Sequence, residues 1–235
     1  MSLTTLRCRK LIRALLVGRY RSALRKGVLA ASEHERIPLE GSYGTVIDVG
    51  AHTGQFALVA AKRFPRAKIY CVEPLAEARE KLEQVLGGRV VTLPFAAAAE
   101  AGEVDMYVTP ATDSSSLLQP AHRNEIRRER VPKRRLDEVL NPADLPRPIL
   151  LKADVQGYEL EALRGAEGFL TSISGLVVEC SFASLYRGQP LADEVVCYLH
   201  QHGFRLWGVY NMAEHQADFW FRRGQQPRLT PPVGR

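Results

Sequence analysis

The stretch from Thr45 to Pro65, "TVIDVGAHTGQFALVAAKRFP", restricts the fold more than any other part of the chain. A β-branched apolar run ends at Asp48 and Val49, Gly50 and Gly54 bracket a tight bend, and a run of helical period follows. A strand that turns directly into a helix opens a strand–helix–strand unit. Such a unit needs a parallel neighbour strand and a sheet covered on both faces.

The alternation continues. "AKIYCVEP" reads as a strand, "LAEAREKLEQVL" as a helix, "RVVTLPFA" as a strand and "EVDMYV" as an extra strand. Ala111 to Arg135 reads as a polar loop. "PILLKADV" is a strand, "YELEALRGAEGFL" helical, "GLVVEC" a strand and "ADEVVCYLHQHG" a helix, while "FRLWGVY" and "ADFWFRR" form a terminal antiparallel pair. The expected architecture is α/β and Rossmann-like: a mostly parallel, doubly wound sheet with a terminal antiparallel strand.

Residues 1–40 are expected to form an amphipathic basic helix and a linker, 41–225 the main domain, and 226–235 a disordered tail. In the first segment Cys8, Leu11, Ile12, Leu15 and Leu16 recur at helical spacing, opposite a basic face. Packing of that helix on the main domain is the favoured reading, with contact to a membrane surface the lesser one. The formal net charge is +6, with eight Arg or Lys among the first 26 residues and seven more from Arg123 to Arg135. This balance favours anionic partners without choosing among them. The four cysteines have neither metal-ligand nor redox-pair spacing, and no segment reaches the ~18 apolar residues of a span, so a reducing, cytoplasmic setting is expected.

The glycine turn discriminates among nucleotides. In the dinucleotide motif G-x-G-x-x-G the second glycine lets backbone approach a pyrophosphate, and here that position is His52. No Gly-Lys-Ser/Thr follows, so a P-loop is excluded as well. The bend Gly50, Ala51, His52, Thr53, Gly54 opens a helix N-terminus suited to a ligand that has a carboxylate and no phosphate. Glu73, with Pro74 after it, ends the second strand and is placed to accept both hydroxyls of a ribose. These features together describe S-adenosyl-L-methionine. Asp48 is expected to orient the turn or receive the cofactor's ammonium. Ala96 and Ala97, with Ala98, offer small side chains against which an adenine can lie. The competing reading makes Asp48 and Glu73 simple helix caps.

Strand ends in the second half carry the candidates for chemistry. Asp154 is the first choice as a base on an acceptor hydroxyl, Glu179 the second and Glu159 the third, although for Glu159 a helix N-terminal charge is the favoured reading. Lys152 lies two residues before Asp154, on the same face of a strand, and would hold it ionised. A divalent ion between Asp154 and Glu179 is a lesser alternative, and no metal is assigned. His52 and His34 carry no catalytic assignment; His34 reads as an exposed linker histidine.

The segments "VIDVGAHTGQFAL", "YCVEPL", "SSSLL", "VPKRRLDEVL", "LLKADVQGYELEALRGAEGFL" and "GLVVEC" occur in an order that resembles the FkbM family of S-adenosylmethionine-dependent methyltransferases. The resemblance spans about Thr45 to Cys180. It implies a class I methyltransferase fold and O-methylation of a hydroxyl on a sugar, glycan or natural product, an activity of class EC 2.1.1. It implies cofactor roles for the turn around Asp48 and Gly50 and for Glu73, active-site roles for Asp154 and Glu159, and a substrate loop at Ser114, Ser115 and Ser116. The block "VPKRR" is more basic than the family pattern and raises an anionic acceptor. Two other functions fit parts of the chain: a nucleic-acid methyltransferase, suggested by the basic run yet lacking interleaved aromatics, and a non-catalytic cofactor-binding module.

Overall fold

In the computed structural model, residues 3–39, 41–109, 112–121 and 127–224 are described. Two helices, α1 (Leu3–Leu16) and α2 (Gly18–Arg25), precede β1 (Thr45–Val49), α3 (Gln55–Arg63), β2 (Lys68–Val72), α4 (Ala76–Leu86) and β3 (Val91–Leu93). Then follow β4 (Ala96–Ala97), β5 (Gly102–Val108), β6 (Arg127–Arg134), α5 (Leu136–Val139), β7 (Ile149–Ala153) and α6 (Glu159–Arg164). The chain continues through β8 (Ile173–Ser181), α7 (Ala192–Gln201), β9 (Phe204–Tyr210) and β10 (Gln216–Arg223).

The main sheet has seven strands in the order β3-β2-β1-β7-β8-β10-β9. The first five are parallel, and β10 runs antiparallel to both β8 and β9. Every residue of β1 and β7 is buried, as central strands with both faces covered must be. One face packs around Leu151, Phe169, Leu176 and Phe204, the other around Phe56, Ala57, Leu82 and Trp220. Strand order and the one inverted strand match the class I methyltransferase arrangement expected from the sequence. The order reverses between β1 and β7, and ligands of open α/β sheets bind at that point, outside the strands' carboxyl ends.

Three local expectations need correction. The region from Ala111 to Arg135 is not all loop: β6 pairs along its length with β5, and β4 joins its end to make a second, three-stranded sheet. Its arginines hid the strand, because its exposed side takes Arg130 toward Glu103 and Asp105, while Val131 turns inward. The run "RVVTLPFA" is accordingly two strands, one in each sheet.

The N-terminal segment is two helices, and its apolar face is not the packing face. α2 and the residues beside it bury Tyr20, Ala23 and Val28 against Leu58 and Val59 of α3, and Ala14 joins them from α1. Leu11, Ile12, Leu15 and Leu16 point to solvent. His34, finally, is buried. The tail from 226 and the basic residue Arg123 lie outside the described residues.

Candidate active site

The bend after β1 is shaped by a close backbone approach. Gly50 has φ +79°, and a Cβ there would lie 1.9 Å from the carbonyl oxygen of Asp154. Gly54 has φ +86° and caps α3 beside Leu82 and Leu86. His52 takes a positive φ of 47°, which turns its backbone N–H toward β2. That N–H donates to Glu73 Oε2 at 2.8 Å, and the Leu75 N–H donates to Glu73 Oε1 at 2.9 Å. Each carboxylate oxygen keeps a further acceptor position. Burial pushes the Glu73 carboxyl above its ordinary range, against the pull of those two N–H groups.

Glu73 borders an apolar slot walled by Val72, Pro74, Leu75, Phe95, Ala96 and Ala97 and roofed by Met106 and Leu117. Ser115, Ser116 and Tyr158 reach the same slot. The serines also set the loop: Ser115 Oγ accepts from the Thr109 N–H, and Ser116 Oγ donates to the Gln156 carbonyl at 2.6 Å.

A second, polar cavity of about 310 Å³ adjoins the slot across Gly50 and His52. Asp154 and Gln156 line both cavities. The polar one adds Ala51, Gln55, Ser114, Lys152, Glu179, Asn211, Gln216, Asp218 and His34. Its centre is a bonded cluster. Lys152 Nζ lies 3.1 Å from Asp154 Oδ2 and 3.5 Å from Asp48 Oδ1. The Gln156 amide donates to Asp154 Oδ1 at 2.8 Å and to Glu179 Oε2 at 2.9 Å, and the Tyr186 hydroxyl stands 3.0 Å from Gln156 Oε1. Gln216 also donates to Glu179 Oε2, at 2.8 Å.

The two strand-end carboxyls are pushed apart. Burial works against charge on Asp154, yet Lys152 and Gln156 carry it below the usual carboxylate range. Burial, reinforced by the negative neighbours Asp154 and Asp218, pushes Glu179 well above that range.

Other expected site residues have different surroundings. Asp48 is fully buried, lines neither cavity and has Lys152 as its charged neighbour. Burial raises its carboxyl as well. Thr53 faces a separate outer depression with Lys81 and Arg127. The Glu159 carboxylate is taken up by the Val155 and Gly157 N–H groups, both at 3.0 Å, and lines neither cavity. Its carboxyl is pushed up to about 7 by burial. It closes a turn instead of reaching into the cavity. No cluster of three or more His, Cys, Asp or Glu side chains suited to a metal occurs among the described residues.

The sequence showed Gln156 only as a turn residue to which Asp154 could hydrogen-bond, and it gave no sign of Asp218 or of the role of His34. Gln156 sits inside "KADVQGYE" with φ +54°, and a polar residue directly before a glycine at φ +96° is the available signal. The His34 Nε2 lies 3.3 Å from Asp218 Oδ2, and Nδ1 lies 3.1 Å from the Ala31 carbonyl. These partners are 184 positions apart in sequence (218 − 34), and no local pattern links them.

Comparison with known proteins bears on this geometry. AMB antimetabolite synthetase AmbE of Pseudomonas aeruginosa is 29% identical over 200 residues, covering 68% of this chain and 9% of its own length. Methyltransferase sdnD of Sordaria araneosa is 28% identical, covering 52% of this chain and 60% of its own length. The 2-O-methyltransferase NoeI of Sinorhizobium fredii is 27% identical, covering 72% of this chain and 77% of its own. The chain thus spans less than two thirds of the first two relatives. A family model described as the Methyltransferase FkbM domain matches residues 48–206, more than half of the chain. The chain belongs to the FkbM methyltransferase family, whose cofactor is S-adenosyl-L-methionine.

Proposed function

We propose that this protein is an O-methyltransferase that transfers a methyl group to a hydroxyl of a sugar, glycan or related natural product. The observation that carries the reading is the pair of adjoining cavities, one apolar and one polar, with Asp154 on the wall of both. The apolar slot suits a flat base, and the Glu73 carboxylate has two acceptor positions left for vicinal ribose hydroxyls. The bend Gly50–Gly54 opens α3, and the first turn of that helix suits the carboxylate of the amino-acid end. Bound S-adenosyl-L-methionine supplies an electrophilic methyl group on a positively charged sulfur.

Asp154 is the assigned base. A hydroxyl becomes strongly acidic as carbon attaches to its oxygen, so a carboxylate of low basicity suffices to accept the proton at that stage. Lys152 and Gln156 fix the carboxylate's orientation, and holding the acceptor oxygen in line with the methyl carbon is worth up to ~7–11 kcal/mol. Glu179, held by Gln156 and Gln216, lies in the same wall and is suited to hydrogen-bonding the acceptor. The amide and carboxyl lining matches the hydroxyls of a polyol, and the relative NoeI, a 2-O-methyltransferase, supports the same class.

The basic run offers less to an anionic acceptor or to nucleic acid than its sequence suggests. Arg127, Arg130 and Arg135 are paired with Glu129, Asp105 and Asp137. Titration of the protein with S-adenosylhomocysteine, followed by donor-dependent labelling of hydroxylated glycans, tests the reading. Binding without labelling of any hydroxyl acceptor would leave a cofactor-binding module, and no binding at all would remove the enzyme.

A further inference from the structure

The outward face of α1 is the feature that the methyl-transfer reading leaves unused. Leu11 and Leu15, and Ile12 and Leu16, stack one turn apart in adjacent rows, with exposures of 45%, 57%, 59% and 74%. An amphipathic helix normally turns such a stripe toward the core. Here two ion pairs hold it outward: Lys10 Nζ meets Glu33, and Arg13 meets Glu35 at 2.7 Å, while Ala14 is the buried contact.

The charge around this stripe is of one sign. The first 26 residues hold eight Arg or Lys and no Asp or Glu. Arg21 and Arg25 are exposed with no acidic partner among the described residues, and Arg21 reaches the Leu15 carbonyl of α1, while the exposed Arg19 and Lys26 donate to the Ala61 and Gln84 carbonyls. A second copy of the chain, docked face to face, would set one array of cations against the same array. A nucleic acid would satisfy the cations and leave four adjacent aliphatic side chains in water. A bilayer with anionic headgroups satisfies both, taking apolar side chains at the acyl boundary and cations at the headgroups. Among the described residues no helix is long and apolar enough to cross a membrane, so the contact is interfacial.

We propose that α1 and α2 form a docking face for anionic phospholipid surfaces, with Leu11, Ile12, Leu15 and Leu16 entering below the headgroups. Lys10 of α1 also lines the polar cavity, so docking sets that cavity beside the membrane. The proposal does not depend on which acceptor is methylated.

The test is co-sedimentation of the full chain with vesicles of phosphatidylglycerol and phosphatidylcholine, and with phosphatidylcholine alone. Sedimentation with the mixed vesicles, weakened by salt and lowered about tenfold or more by the double substitution Ile12→Ser and Leu16→Ser, is expected. Substitution of Arg21→Gln and Arg25→Gln is expected to weaken binding to the mixed vesicles with no change on the neutral ones. S-adenosylhomocysteine titration of both variants reports that the fold is intact. Failure to sediment with mixed vesicles overturns the proposal, and so does undiminished sedimentation of the Ser variant. A dimer in analytical ultracentrifugation that the Ser variant abolishes would reassign the face to a second copy. Tighter binding to RNA than to vesicles, unaffected by the Ser variant, would reassign it to nucleic acid.

Discussion

Gly50 and Asp154 meet backbone to backbone: the space a Gly50 side chain would need is filled by the Asp154 carbonyl, 1.9 Å from the ideal Cβ position. The contact joins the end of β1 to the end of β7 at the point where the sheet order reverses. The glycine therefore secures the seam between two strands, and the bend around it becomes the wall shared by both cavities.

Gly50→Ala is expected to destabilise the fold by about 3 kcal/mol or more, because it adds a backbone clash to an already left-handed φ. Thermal unfolding should show a midpoint lowered by roughly 6 °C or more for a chain of this size. A midpoint equal to that of the parent would mean that β1 and β7 separate easily.

Glu73→Gln puts an amide NH₂ or a single carbonyl where two backbone N–H groups and a ribose expect a carboxylate. Affinity for S-adenosylhomocysteine is expected to fall about 10- to 100-fold, corresponding to ~1.5–3 kcal/mol for charged hydrogen bonds. Calorimetric titration reads this directly, and unaltered affinity would remove Glu73 from the ribose site.

Asp154→Asn keeps the side chain's shape and removes its ability to accept a proton. Turnover with a hydroxylated acceptor is expected to drop by ~10²–10⁴, while S-adenosylhomocysteine affinity changes little. Equal turnover in parent and variant would overturn the base role of Asp154.

The His34–Asp218 pair ties the N-terminal segment to β10 in a pH-dependent way. Burial disfavours charge on His34, but the Asp218 carboxylate raises its pKa above the ordinary 6.5. Burial likewise opposes ionisation of Asp218, and His34 brings its carboxyl below the usual range. A raised histidine contributes its stability fully below about pH 6.5 and loses it as pH rises through the folded-state value. The lowered carboxyl contributes above its unfolded value, near 3.9, and loses its contribution as pH falls through the folded one. Chemical denaturation of the parent and of His34→Gln should thus differ most at mildly acidic pH, with the gap narrowing toward alkaline pH. A gap that stays constant with pH would show that the pair is not an ion pair.

Legibility followed the range of the interactions. The strand–helix periods of Thr45–Arg63 and Ile149–Arg164 are local, and both regions form the expected elements. β6 was hidden because a strand with one face to solvent can carry arginines, and only its pairing with β5 and β4 distinguishes it from a loop. The helical period of α1 was readable, but not the direction its apolar face takes, since Glu33 and Glu35 decide that from beyond a turn.

Taken alone, the chain of residues determined the α/β alternation, the strand-to-helix bend that contains His52 and the family to which the motifs belong. Tertiary structure decided which acids face open space. Asp48, Glu159 and Asp154 look alike as strand-end or helix-start carboxylates, yet Asp48 is sealed behind the turn, Glu159 is taken up by backbone N–H groups and Asp154 lines both cavities. The physical reason is that a carboxylate's role depends on its solvation and its donors, and those come from partners remote in sequence. Lys152, Gln156 and His34 are assembled around these acids by sheet order, which no local pattern encodes.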